Sequence, residues 1–178
     1  MSIKGADIRN IAVIGHSGEG KTSVCEAILF NGKTTDRLGK VTDGNTVTDY
    51  DDQEIARKMS ISLSMAYTMW DGVKLNLLDV PGFYDFEGEE NEALRAAGGA
   101  LIVTGASGTL SVGAEKAIDK CLKNKIPMIL FINGVDKDNA DYAGTVAALK
   151  QKYAGKIAPI QITIMEGNKM IGYVNALK

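Results

Sequence analysis

A chain of 178 residues, 45% of them apolar, is the size of one domain and can bury a core, which excludes a disordered segment and makes an α/β unit the first expectation. Its net charge of -2 supplies no bulk attraction to nucleic acid or to an anionic membrane, so neither direct nucleic-acid binding nor membrane association is expected. Cys25 and Cys121 lie far apart without metal-ligand spacing and read as reduced core thiols, and with no long apolar run and no leader-like start the chain is expected to be cytoplasmic.

Ile11-Ala12-Val13-Ile14 is a short apolar run ending at Gly15, and beyond Thr22 the residues Val24, Ile28 and Leu29 recur at helical spacing. Strand, glycine loop and helix follow in that order. In Gly15-His16-Ser17-Gly18-Glu19-Gly20-Lys21-Thr22 a Gly, four residues and Gly-Lys-Thr let consecutive amides point at a phosphate on a helix N-terminus. Gly15, His16, Gly18, Glu19, Gly20, Lys21, Thr22 and Ser23 are therefore the candidate nucleotide contacts. Lys21 supplies charge for the β and γ phosphates, Thr22 a hydroxyl for Mg²⁺, and Ser23 a reach to the next phosphate back. His16, the only histidine, is expected to shape the loop, and Glu19 to lie solvated at the nucleotide's edge, because phosphates repel a carboxylate.

Residues 33–57, rich in Gly, Asp and Thr, read as a long surface loop of the kind a compact domain keeps for function. From Ile61 the pattern alternates. Ile61, Leu63, Met65, Tyr67 and Met69 form one face, expected to be core, and Ser62, Ser64, Ala66 and Thr68 the other. A second run, Val73, Leu75 and Leu77, follows Asp71-Gly72, so a hairpin of about 61–69 and 73–79 is predicted, closed by Trp70. Asp79 ends that run, where a carboxylate is costly to bury unless it meets a cation, here Mg²⁺ through a water. Gly82 of Asp79-Val80-Pro81-Gly82 would offer an amide to the γ phosphate, whose loss would release the segment behind it.

Asp85 is expected to cap a weak helix through about Ala97, with Glu87, Glu89, Glu90 and Glu92 as solvated surface. Residues 100–103 read as a buried strand, and Ala114, Ala117, Ile118, Cys121 and Leu122 as a helical stripe. Residues 128–132 form another fully apolar strand, and Tyr142, Val146, Leu149 and Tyr153 a helix. Ile160, Ile162 and Ile164 alternate in a further strand, followed by a turn at Glu166-Gly167-Asn168 and another β element with Ile171, Tyr173 and Asn175. The alternation predicts a three-layer α/β sandwich, a mostly parallel sheet covered on both faces with one antiparallel hairpin. Asn133 and Asp136 follow the strand at 128–132, where open sheets place ligand groups. The Asp136 carboxylate can accept from both the ring N–H and the exocyclic amine of guanine, a pair adenine lacks.

Together these residues resemble the translational GTPases, and specifically the N-terminal GTP-binding domain of the elongation factor G and elongation factor G-like branch. The resemblance is carried by Ile14-Gly15-His16-Ser17-Gly18, by Arg37-Leu38-Gly39-Lys40-Val41 with Asp49-Tyr50-Asp51, by Asn76-Leu77-Leu78-Asp79-Val80-Pro81-Gly82, and by Asp138-Asn139-Ala140-Asp141-Tyr142, and it covers nearly the whole chain. It implies a P-loop NTPase fold, with 1–165 as the GTP-binding domain and 166–178 as the start of an insert. It further implies a fragment of a longer protein, cut before the sheet's last strand and helix and before a Ser-Ala loop at the base. Residues 33–60 would be the first switch, with Ser60 placing its hydroxyl on Mg²⁺ when the γ phosphate is present, alongside Thr22 and Asp79, and 83–97 would be the second. Lys21 and Gly82 would serve conversion of GTP to GDP and phosphate, activated by a ribosome in the parent protein. Independently of the resemblance, the low, even charge and absence of an obvious seam make a monomer the expectation.

Departures from the family pattern matter as much. Phe83 stands where translocating members carry a histidine that positions the attacking water, so hydrolysis is expected to be slow, or the domain to be a guanine-nucleotide switch with little or no hydrolysis. Ribosomal protection proteins share this domain but normally keep the histidine. Gly134 replaces a lysine whose stem would lie against the base, Gly18 an aspartate of the phosphate loop, and Lys58 the glycine of an Arg-Gly-Ile motif.

Overall fold

The computed structural model describes residues 3–166 and 169–177. In chain order the elements are β1 (Ile8–Gly15), α1 (Lys21–Asn31), α2 (Asp52–Arg57), β2 (Ser64–Trp70), β3 (Val73–Asp79), α3 (Glu87–Ala96), β4 (Gly99–Gly105), α4 (Val112–Asn124), β5 (Met128–Asn133), α5 (Tyr142–Lys152), β6 (Gln161–Glu166) and β7 (Lys169–Asn175). Five strands form one sheet in the order β2-β3-β1-β4-β5, parallel except for the antiparallel β2–β3 pair. β6 and β7 pair only with each other, as a second antiparallel hairpin, and the turn expected around Gly167 and Asn168 lies outside the described residues.

β1 runs through the middle because its residues are apolar on both faces. Ala12 and Ile14 pack with Leu78, Ile102, and residues of α3, α4 and α5, while Val13 packs with Val24, Cys25 and Leu29 of α1 and with Leu77 and Val103. Burying these side chains contributes about 1.5–3 kcal/mol for each large one. Both cysteines are buried and unpaired, and among the described residues no helix is long and apolar enough to cross a membrane.

The sheet is not covered evenly. α1 alone covers the Val13 face, so Ile129 and Phe131 of β5 are exposed there, where full burial was expected. The hairpin differs more sharply. β2 begins at Ser64 rather than about residue 61, and the buried face holds Ser64, Ala66 and Thr68, while Met65, Tyr67 and Met69 are exposed. The cause is close approach by α1: Thr68 lies directly beneath Gly32, Thr34 bonds the Thr68 hydroxyl at 2.7 Å, and only small side chains fit. The hairpin link itself is as predicted, with φ of 47° at Asp71 and 79° at Gly72, the pair of left-handed residues a two-residue turn requires. Asp85 does not cap a helix: it lies in a 3-10 turn, Tyr84–Phe86, and α3 starts at Glu87 without a side-chain cap.

Candidate functional site

The glycine loop bends through left-handed glycines, Gly18 at φ 79° and Gly20 at φ 92°, before α1 starts at Lys21. A side chain at Gly20 would collide with the Asn133 amide, whose Nδ2 donates to the Glu19 carbonyl at 2.8 Å. Asn133, at the end of β5, thus ties that strand end to the glycine loop. His16 is wedged against Gly113 of α4, where a Cβ would lie 2.8 Å from the His16 Cα, with the Tyr84 ring 6.0 Å away. Glu19 is half-buried, with Oε2 shielded from water and unpartnered, rather than solvated. Lys21 is buried and its Nζ donates to the His16 carbonyl at 3.0 Å. Burial holds its pKa below the ordinary lysine value, opposed chiefly by Asp79.

Beside Lys21 lies a cluster of oxygens. Thr22 and Ser60 hydroxyls are 3.2 Å apart, Ser60 donates to Asp49 Oδ1 at 2.7 Å, and Thr48 donates to Asp79 Oδ2 at 2.7 Å. The cluster brings together Thr22, Ser60 and Asp79, the three expected metal residues, and adds Thr48 and Asp49, which the sequence reading had not placed in the site. Asp49 belongs to the Asp49-Tyr50-Asp51 motif of the expected first switch, but nothing local gives it or Thr48 a place beside Asp79. The stretch read as surface loop is instead pinned down: Glu26 of α1 accepts the amides of Gly39 and Val47 at 3.0 and 2.6 Å, and α2 forms within it under a capping box from Asp51 and Glu54. Asp79 Oδ1 and Asp49 Oδ2 are buried without a hydrogen-bond partner. Two orphaned carboxylate oxygens among three hydroxyls are the donor set a hard divalent cation completes, so these residues fit Mg²⁺.

Gly82 rests on the glycine loop, where a Cβ would lie 2.6 Å from the Ser17 amide and closer still to the Lys21 ammonium. Phe83 is exposed and lines a small cavity with Tyr84, Gly113 and Lys116, whose Nζ sits 4.1 Å above the Tyr84 ring. Asp136 is exposed beyond Gly134, which has φ 71°. The stem of Lys137 fills the space beside Gly134, its Cε 3.1 Å from where a Cβ would lie.

The elongation factor Tu GTP binding domain model matches residues 6–174. This chain belongs to that family. Within it, the chain is 34% identical over 168 residues to an elongation factor G-like protein of Mycobacterium tuberculosis, covering 94% of this chain and 23% of the relative. It is 35% identical over 173 residues to a mitochondrial ribosome-releasing factor 2 of Bos taurus, covering 97% and 22%. A crystal structure of a protein from Thermus thermophilus superposes with a TM-score of 0.88 at 34% identity, covering 96% of this chain and 26% of that one. The chain therefore spans about a quarter of the length of these relatives.

Without Mg²⁺ the stability of this GTP binding domain is expected to depend on pH through Asp79. Burial pushes the Asp79 carboxyl up from 3.8 to about 6, against the hydrogen bond from Thr48 and the charge of Lys21. Between those values the folded chain holds a proton that the unfolded chain has lost, so stability falls as pH rises through the window. The expected loss is about 3 kcal/mol from this group, at about 1.4 kcal/mol per pH unit of displacement. Chemical denaturation without Mg²⁺ or nucleotide at the two ends of the window checks it, and Asp79→Asn is expected to flatten the profile.

Proposed function

We propose that this chain binds GTP and GDP with Mg²⁺ and serves as the GTPase module of an elongation factor G-like factor, hydrolysing GTP slowly alone and faster on a ribosome. The observation that carries the reading is the unfinished oxygen cluster of Thr22, Ser60, Asp49 and Asp79 beside Lys21, at the mouth of the glycine loop. On this reading residues 1–165 are the nucleotide-binding domain, 166–178 begin an insert, and the module is a cytoplasmic monomer.

Thr22 would hold the Mg²⁺ through its hydroxyl and Asp79 through a water, joined by the Ser60 hydroxyl when the γ phosphate is present; the bound ion would neutralise charge on the β and γ phosphates. Gly15, His16, Gly18, Glu19, Gly20 and Ser23 shape the loop whose amides bind phosphate oxygens, and Lys21 adds a fixed charge where negative charge gathers on the leaving oxygen. Gly82 offers its amide to the γ phosphate from a backbone that no larger residue could bring so near. A water adds to the γ phosphorus as the bond to the β-phosphate oxygen breaks, leaving GDP and phosphate, and Phe83 has no atom that can hold that water. Asn133 fixes the base loop to the phosphate loop, and Asp136 reads guanine.

The test is calorimetric titration with GTP, GDP and ATP in Mg²⁺, followed by single-turnover hydrolysis with and without ribosomes. Micromolar or tighter binding of the guanine nucleotides with ATP about a hundredfold weaker supports the reading, on the scale hydrogen-bond mismatch allows. Absence of binding overturns it. Phe83 favours a second reading, a switch that binds without hydrolysing, and Phe83→His separates the two. Restoring a group able to position water is expected to raise the turnover rate about tenfold or more while GDP affinity stays within about twofold, the lower end of what a positioned catalytic group supplies. An unchanged rate would remove position 83 from the chemistry.

A further inference from the structure

The acidic run of α3 is not simply solvated, as its sequence had suggested. Glu87 and Glu90 hold Lys120 of α4 at 3.0 and 2.9 Å, and Glu89 accepts the amide of Leu63 at 2.6 Å. Just before that contact, Glu54 of α2 accepts the amides of Ile61 and Ser62 at 2.9 and 3.1 Å. Three consecutive backbone N–H groups after Ser60, just ahead of β2, are therefore held by two carboxylates. Such charge-assisted bonds are stronger than neutral ones, and an amide deprived of its partner in a half-buried place is costly.

The two carboxylates differ in what they are attached to. Glu54 belongs to α2, inside the same 33–60 segment as Ser60, and moves with it. Glu89 belongs to α3, which follows Gly82 and its seat against Lys21 and the Ser17 amide. A closed physical path results: from the phosphate loop to Gly82, along α3 to Glu89, across to Leu63, and back through Ser60 to Thr22 and Asp49. We propose that Glu89 is a positioning residue that makes the place of the Ser60 hydroxyl depend on the place of α3, so that the segment after Gly82 governs the oxygen cluster as well as the phosphate loop. The proposal rests on the nucleotide reading above only for its consequence in binding; the link itself is independent of any ligand.

The test has two arms on the whole chain. In nucleotide-free protein, Glu89→Ala is expected to speed amide hydrogen exchange at residues 61–63 about tenfold or more while β1 and β4 keep their protection, as local rather than global opening requires. Glu89→Gln, which keeps an acceptor oxygen at the same reach, is expected to restore most of it. In the second arm, affinity for Mg²⁺ with a non-hydrolysable GTP analogue falls about tenfold in Glu89→Ala while that for Mg²⁺ with GDP changes less than about twofold, since only a state that needs Ser60 in place bears the cost. Unchanged exchange at 61–63, loss of protection in β1 and β4 as well, a Gln variant as poor as Ala, or equal weakening for both nucleotides would each overturn the proposal. A wild-type chain that binds neither nucleotide defeats the functional reading instead, and the exchange arm then decides on Glu89 alone.

Discussion

Asp136→Asn is expected to exchange the base preference of the site, weakening GDP about 10²- to 10³-fold and making xanthosine diphosphate the better ligand, the scale of penalty for mismatched hydrogen-bonding groups. A carboxylate carries only acceptors and suits the two adjacent donors of guanine, its ring N–H and exocyclic amine. The asparagine amide replaces one acceptor with a donor. Xanthine has a carbonyl where guanine has that amine, so the new donor finds a partner there and guanine meets donor against donor. Asp136 is exposed, and the variant should melt with the wild type. Competition between labelled GDP and unlabelled xanthosine diphosphate reads the exchange directly. If GDP affinity is unmoved, Asp136 does not touch the base, and Asn133 is left with only its structural bond to the Glu19 carbonyl.

The parts of this site that could be read from sequence are those whose chemistry is local. The glycines and Lys21 form one continuous turn, and strand, loop and helix around them announce themselves by punctuation and period. Asp79 was legible because a carboxylate ending an apolar strand is anomalous by itself. Thr48 and Asp49 were not, because what makes them part of the cluster is Glu26, which holds Val47 from another element at 2.6 Å. Alternation in β2 established that the segment was a strand but left its inner face open, and hydrophobicity chose the wrong one. Steric closeness of α1 at Gly32 and Thr68 outweighed the transfer energy of three large side chains at a sheet edge with no helix over them. In the acidic run Glu87 and Glu92 are exposed as expected, but Glu89 and Glu90 misled for the same reason: their partners, the Leu63 amide and Lys120, come from distant parts of the chain.

Lys21→Met is expected to weaken both GDP and GTP about 10³-fold, roughly 4 kcal/mol, as loss of a buried charge facing a polyanion costs. Methionine keeps an unbranched stem of similar length, so the packing beneath the loop survives and only the ammonium goes. The remaining effect shows in the free protein and depends on pH. Removing the nearest positive charge drives the Asp79 carboxyl further up from its value of about 6, and Asp49, already raised by burial, moves the same way. A protonated Asp79 does not miss the ammonium, so at about pH 5 the variant should match or exceed wild type, burial of one charge having been relieved. By about pH 8 the carboxylates must ionise without a partner, and the variant falls behind, because the folded state then gives up protons at a higher pH than before. Denaturation curves for both proteins across that range, without Mg²⁺, read the divergence, and nucleotide titration reads the binding loss. A variant that binds within about tenfold of wild type would show that the phosphates are held by the loop amides alone, with Lys21 serving only to offset Asp79 and Asp49.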